Sequence, residues 1–396
     1  MRSLLKLIFI ITLLELFVGG GGRVFEIGGA TLRILLFFLN IVIVSVLYVY
    51  RAKIPKYVVV LVASVLCILL FYAVLGWFNG APFALIAEDV KPLSYFFSIL
   101  FFSYFIDSKE RVQLIVSLIQ KTSLFMALAY IGIQLLFFLG KISFLPFYEY
   151  VNTKVSSSDF IFRGTQGLFF YKGFLYMVVG LIFWIHSKNS QYKGISILIL
   201  MTAMILTGTR GFILMFGLLY ALFYGIPLLL KLNIKVLILV AVLVLGSVYF
   251  FGNFELGDKD LSDSIRIQQL IQVTERINPI SFFIGHGFGI GVPVREVHME
   301  IGYLEVFHKQ GVLGLSLWGL LFIILYNTYI REKNFLEIRK PFFLAVLFVI
   351  LLSLTNPFFN NPIGISLFMI ALSAFTALNK TAKRDDSKMA VNVSGS

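Results

Sequence analysis

Long apolar runs separated by short polar breaks dominate the chain, and their length decides what they are. A bilayer core of about 30 Å takes roughly 20 apolar residues per helix. Twelve runs of that kind can be marked, at about 3–20, 31–50, 57–78, 92–106, 112–140, 167–186, 193–207, 211–230, 234–251, 303–330, 341–356 and 361–379. The short ones, 92–106 and 193–207, predict tilted or broken helices. The first run has a basic start like a signal peptide, but it lacks a small-residue cleavage site and leads into further spans, so it reads as the first helix. The pattern predicts an all-α polytopic membrane protein of about twelve transmembrane helices, a single domain over residues 1–380. Two longer polar stretches fall at about 141–166 and 252–302, the second a large loop between the ninth and tenth helices. Within it Leu261, Ile265, Leu270, Val273 and Ile277 approximate one face of an amphipathic helix, which Asn278-Pro279 should end. Residues 381–396 are small and polar and predict a disordered tail.

Composition agrees with lipid as the solvent: 59% of residues are hydrophobic and 13% charged, against roughly 45–50% and about 25% in soluble domains. A lone cysteine, Cys67, leaves no intramolecular disulfide and no cysteine-based metal site. A net charge of +13 would suggest nucleic acid in a soluble chain; here basic loops that set topology account for most of it, and no nucleic-acid partner is expected. With the N-terminus in the cytoplasm, alternate short loops carry Arg51/Lys53/Lys56, Lys109/Arg111, Lys188/Lys193, Lys231/Lys235 and Arg331/Lys333/Arg339/Lys340, and the tail adds Lys380/Lys383/Arg384/Lys388. That alternation is the positive-inside pattern. It places both termini inside and both long polar stretches outside.

A second set of cations is left over on the outer side: Arg163, Arg210, Arg266, Arg276 and Arg295, with Lys172 beside them. Arg210 stands in the tight turn Thr207-Gly208-Thr209-Arg210-Gly211, next to a helix start whose free N–H groups also favour anions. A guanidinium presents a planar fork that suits phosphate oxygens. Arg266 and Arg276 lie on adjoining helical faces that could look toward one cavity. The alternate glycines of Gly285-His286-Gly287-Phe288-Gly289-Ile290-Gly291 lack the strand and helix of a dinucleotide fingerprint; they read as a turn where backbone closely approaches a helix or ligand. At the entrance to the tenth helix, Glu300 or His298 could act as a general base, or Glu300 could serve only as a helix-terminal charge. No metal site and no cofactor are expected. Ionisable residues inside the spans are few, Glu15 and Lys121 being the clearest, and the two halves are unlike, which disfavours a transporter.

Leu206-Thr207-Gly208-Thr209-Arg210-Gly211 before an apolar helix resembles the Ser/Thr-x-x-Arg-Gly signature of bacterial O-antigen polymerases and ligases. The same resemblance extends to Asp263-Ser264-Ile265-Arg266, Asn278-Pro279, Gly285-His286-Gly287-Phe288-Gly289, Tyr303-Leu304-Glu305-Val306 and Gly311-Val312-Leu313-Gly314-Leu315, and to Arg163 with Gly164 and Gly167. It covers roughly residues 155–375; the first 140 match only in hydropathy. It implies a fold similar to the GT-C class, a bacterial inner-membrane location, and metal-independent inverting glycosyl transfer at the periplasmic face. The implied substrates are oligosaccharides linked to undecaprenyl diphosphate, with membrane lipid and a chain-length regulator as further partners. Arg163, Arg210, Arg266, Arg276, Arg295, Lys172 and Tyr303 would bind diphosphate and sugar. Ligases of this superfamily carry a His-Asn pair before the helix; none occurs in this loop, and aligning Glu305 with the family glutamate puts Glu300 at the ligase histidine. That departure favours a polymerase over a ligase.

Overall fold

In the computed structural model the described residues are 2–22, 26–27, 30–50, 53–151, 153, 160–163, 167–188, 191–225, 259–331 and 334–394. The ninth expected span, the end of the eighth and the start of the large loop lie outside them. The described helices are α1 (Arg2–Val18), α2 (Leu32–Tyr50), α3 (Lys56–Phe78), α4 (Phe83–Leu93), α5 (Ile99–Phe105), α6 (Lys109–Phe138), α7 (Phe144–Tyr150), α8 (Phe174–Ile185), α9 (Lys193–Leu206) and α10 (Arg210–Tyr220). After the undescribed stretch come α11 (Lys259–Arg276), α12 (Pro279–Ile284), α13 (Gly302–Ile330), α14 (Leu336–Leu352) and α15 (Pro362–Ser394). Among the described residues five helices are long and apolar enough to cross a membrane: α2, α3, α6, α13 and the Pro362–Arg384 part of α15. Shorter apolar helices at Phe174–Ile185, Lys193–Leu206 and Arg210–Gly225 accompany them. The chain is a helical membrane protein.

Several details depart from the hydropathy reading. The chain is not purely helical, because two small antiparallel hairpins pair Glu26–Ile27 (β1) with Ala30–Thr31 (β2), and Phe160–Arg163 (β3) with Leu168–Tyr171 (β4). β4 consumes the first residues of the expected sixth span, so that helix starts at Phe174. Tyr171 at its end donates its hydroxyl to the Val18 carbonyl at 2.6 Å, tying the hairpin to α1. The short fourth run is broken as expected: Pro92 closes α4, a 3-10 turn covers Ser94–Ser98, and α5 follows. α15 runs on as helix to Ser394, through the polar stretch that the sequence reads as a tail. The amphipathic α11 forms over Lys259–Arg276, and Asn278 then caps α12 through a reciprocal capping box with Ser281.

Small side chains set the closest helix contact. A Cβ at Gly180 of α8 would lie 2.0 Å from Ser123 Oγ of α6, a small-residue approach of the kind that packs helices in lipid. The basic loops gather at one end of the bundle. There Lys109 sits over the Phe335 ring, Lys188 pairs with Glu337, and Lys340 lies over Tyr224. Arg339 at that end is buried, donating to the Thr328 carbonyl and flanked by the Tyr329 and Phe375 rings. The alternate loops gather at the other end, where Asn79 donates to the His286 carbonyl and Arg266 to that of Thr355.

One segment locks this second end. α13 breaks at Gly311 (φ 64°, ψ −164°), a backbone region open to glycine. The carbonyls of His308 and Lys309 accept the Gly287-side backbone N–H groups (His286 and Gly287), and that of Gln310 accepts the Tyr72 hydroxyl at 2.9 Å. The 285–289 strand of backbone thereby threads between α3 and α13. Phe288 N–H donates to the Tyr72 carbonyl, and a Cβ on Gly287 would lie 2.1 Å from Gly76 N. The alternate glycines are therefore a backbone-to-helix contact.

Gly287→Ala should abolish folding or sharply lower the melting temperature in detergent, since the residue has φ +87° and no room. Gly80→Ala, at φ +84° with open space around it, should cost only the left-handed backbone term of roughly 1–2 kcal/mol. Equal melting of the two variants would contradict the threading.

Candidate functional site

At the locked end a buried ammonium organises the polar side chains. Lys309, two turns into α13, is 2% exposed and donates to Asp89 Oδ1 at 2.7 Å, to Glu305 Oε1 at 2.8 Å and to the Val297 carbonyl. Its three protons thus have three acceptors. Glu305 lies one turn earlier on α13, so helical spacing alone brings it beside Lys309. Asp89 comes from α4, and its other oxygen accepts the Gly289 N–H at 2.7 Å, fixing the threaded segment as well. Asn360, in the turn before α15, donates to Glu305 Oε2 at 2.9 Å.

His298 completes the group from the loop side. Its Nδ1 is 3.2 Å from Glu305 Oε1 and 3.8 Å from Asp89 Oδ1, and its side chain is 48% exposed. The hydrogen bond to Glu305 raises the imidazole pKa above its ordinary value, against the lowering effect of partial burial. With Nδ1 committed to a buried carboxylate, Nε2 is the ring atom available to a ligand, and the carboxylate orients the ring. Asp89, His298, Glu305, Lys309 and Asn360 line one cleft. Its volume is about 30 Å³, room for about two waters.

The ligand atoms of Asp89, His298 and Glu305 lie within 4.8 Å of one another, a set that could hold a metal ion. The Lys309 ammonium lies between the two carboxylates, at the position a cation would take. Beside this cleft is a second charged group. Glu300 receives Arg266 at 3.2 Å and Arg295 at 3.0 Å, and its backbone N–H donates to Gln269. Arg266 also reaches the Thr355 carbonyl at 3.4 Å. Gly211 packs on the same Thr355 and on Asn356, which places the backbone of the preceding residue, Arg210 at the start of α10, near that turn.

No protein-family model and no solved structure matches the chain. The O-antigen polymerase of Shigella flexneri is 30% identical to it over 387 residues, covering 96% of this chain and 97% of that protein. The chain belongs to the O-antigen polymerase family. As a member it is a membrane-bound glycosyltransferase-type enzyme of polysaccharide biosynthesis.

In this O-antigen polymerase relative, the residues that the sequence singles out divide into groups. His298 lines the cleft. Glu300, Arg266 and Arg295 form the neighbouring ion-paired group, with Arg210 across the Thr355 turn. Arg276 is exposed and donates to the Gly291 carbonyl at 2.6 Å, so it does not share the partners of Arg266. Arg163 stands at the end of β3 opposite Leu168, and Lys172 in the turn from β4 to α8. The Tyr303 hydroxyl is taken by the Ile350 carbonyl at 2.8 Å, and its ring stacks on Phe359. Asp89, Lys309 and Asn360 carry no motif in the sequence, and Glu305 stands there as the second carboxylate of the helix entrance and as the residue aligned with the family glutamate. An ionisable residue within an apolar helix is a functional signal, and Lys309 carried it; Asp89, in a short interhelical segment, carried none.

Lys309→Met should destabilise the protein by about 3–5 kcal/mol, the usual result of leaving buried carboxylates without their cation. Adding Asp89→Asn should recover part of the loss, read as melting temperature in detergent. A Lys309→Met protein that melts like wild type would remove the ammonium from its organising role. For His298, whose folded pKa is raised, the stabilising contribution is full below the unfolded value of about 6.5 and is lost as pH rises through the folded pKa. The stability gap between wild type and His298→Gln should therefore be widest at acid pH and shrink toward alkaline pH.

Proposed function

We propose that the protein joins lipid-linked oligosaccharide repeat units at the periplasmic face of the bacterial inner membrane, with both termini in the cytoplasm. The donor is a glycan on undecaprenyl diphosphate. An acceptor sugar hydroxyl attacks the anomeric carbon; the new glycosidic C–O bond forms as the bond from that carbon to the diphosphate breaks. The acceptor proton passes to His298 Nε2, and the diphosphate leaves with its electron pair. Attack opposite the leaving group gives inversion.

The observation that carries this reading is the half-exposed His298 held at Nδ1 by the buried Glu305, together with the family relationship. A histidine so held has its ring orientation and basicity set by the carboxylate, the arrangement a general base requires. Glu300, the other base expected from sequence, is ion-paired to two arginines. Both of its carboxylate oxygens therefore face guanidinium groups. Arg266 and Arg295 on Glu300, with Arg210 beyond the Thr355 turn, supply positive charge for the diphosphate as it develops in the transition state.

In a purified assay with lipid-linked repeat units, His298→Gln should lower turnover by about 10²–10⁴-fold, while Glu300→Gln should act mainly through KM. The acid limb of kcat/KM against pH should turn at a pKa above about 6.5. Normal polymer from a well-folded His298→Gln protein would overturn the assignment of the base.

A further inference from the structure

We infer that the isoprenoid tail of the donor lipid lies in a seam between α3 and α13, entering the polar cleft from the side, with Gln310 and Leu93 at the junction. This rests on the glycosyl transfer proposed above and adds the path of its lipid.

The seam is lined by Val65 of α3, Phe96 of the 3-10 turn, and Leu317 and Trp318 of α13. Gln310 and Leu93 line both this seam and the polar cleft, so the apolar and polar spaces adjoin at a pair of side chains. From Gln310 to Leu321, the last α13 residue on the seam, eleven residues at 1.5 Å make about 16 Å of apolar wall. The seam is shut to about 40 Å³ in this state, but its two walls are the least buried of the membrane-length helices among the described residues. The apolar windows of α3 and α13 are 22% and 17% buried, against 83% for α15. The Tyr72–Gln310 hydrogen bond holds α3 to α13 at the cleft end, so the helices part on the Val65 side of that bond, where outward-facing residues such as Leu70 and Leu320 put the seam's mouth in lipid. The break at Gly311 sits at the inner end, where α13 changes course between the polar cleft and the seam.

Reaction geometry selects the donor as the occupant. The bond that breaks joins the anomeric carbon to a diphosphate whose far end bears the isoprenoid, so the donor tail starts within one diphosphate of the reacting centre. The acceptor hydroxyl belongs to a sugar that the rest of its repeat unit separates from its own lipid. An apolar channel that adjoins the cleft directly fits the first and not the second.

The test uses the full-length protein in lipid nanodiscs with one repeat unit carried on either the long undecaprenyl diphosphate or a short two-isoprene diphosphate, against a fixed acceptor. Val65→Trp and Leu317→Trp, which fill the seam, should raise KM for the long donor at least tenfold and leave the short donor within twofold. Equal effects on both donors, or none on either, would overturn the tail path and indicate that the seam holds only bulk lipid or packed side chain. A second measurement does not depend on variants or turnover: a long-chain prenyl diphosphate with a photoreactive terminal isoprenoid should label the α13 peptide containing Leu317 and Trp318. Labelling confined to other helices would refute the seam even if polymerisation is confirmed. If wild type forms no polymer from either donor, the glycosyl-transfer reading falls, and the labelling pattern still decides where the tail binds.

Discussion

A lysine ammonium sealed away from water must find oxygen partners or lose its charge, and the outer end of this protein is built around that requirement. Lys309 draws Glu305 from its own helix, Asp89 from α4 and the Val297 carbonyl from the loop. Both carboxylates are then used again. Asp89 also holds the Gly289 backbone, and Glu305 also holds His298 and Asn360. A single buried charge thereby connects the N-terminal helices, the large loop and the turn before α15, and leaves the imidazole oriented at the rim.

The helix break at Gly311 is the backbone counterpart of that network. Carbonyl groups released by the break would be costly in an apolar setting; the 286–287 backbone and the Tyr72 hydroxyl take them. Glycines at 285, 287 and 289 are the condition for this, because each holds a positive φ with other backbone or side-chain atoms within contact distance. Polar cleft and apolar seam lie on either side of this junction and share Gln310 and Leu93.

Apolar run length in the sequence was enough to place α2, α3, α6, α13 and α14 to within a few residues, since each element is defined by its own composition. Charge alternation likewise anticipated which loops meet at each end. Reading failed where partners are remote. Asp89 and Lys309 are 220 positions apart, and neither residue type signals a partner at that distance. Tyr303 looked like a ligand-binding residue by resemblance, but its hydroxyl is hydrogen-bonded to α14 and its ring packed on Phe359. The β3–β4 hairpin was absorbed into a span because its Phe and Tyr residues have the hydropathy of a helix. Glu300 and His298 are alike as candidates in the sequence, and only geometry separates the one fixed by arginines from the one fixed by a carboxylate.

The 220-residue separation also sets a timetable for biogenesis. At about 5–20 residues per second, α4 leaves the ribosome roughly 10–40 s before Lys309 does. Asp89 must wait through that interval without the cation that later neutralises it, on a short helix flanked by Pro82 and ended near Pro92. Such a segment can rest at the membrane surface and be drawn in only when α13 arrives with its ammonium. The polar cleft around Lys309 is thus among the last of the described parts to form, and a nascent chain ending before α13 carries no complete copy of it.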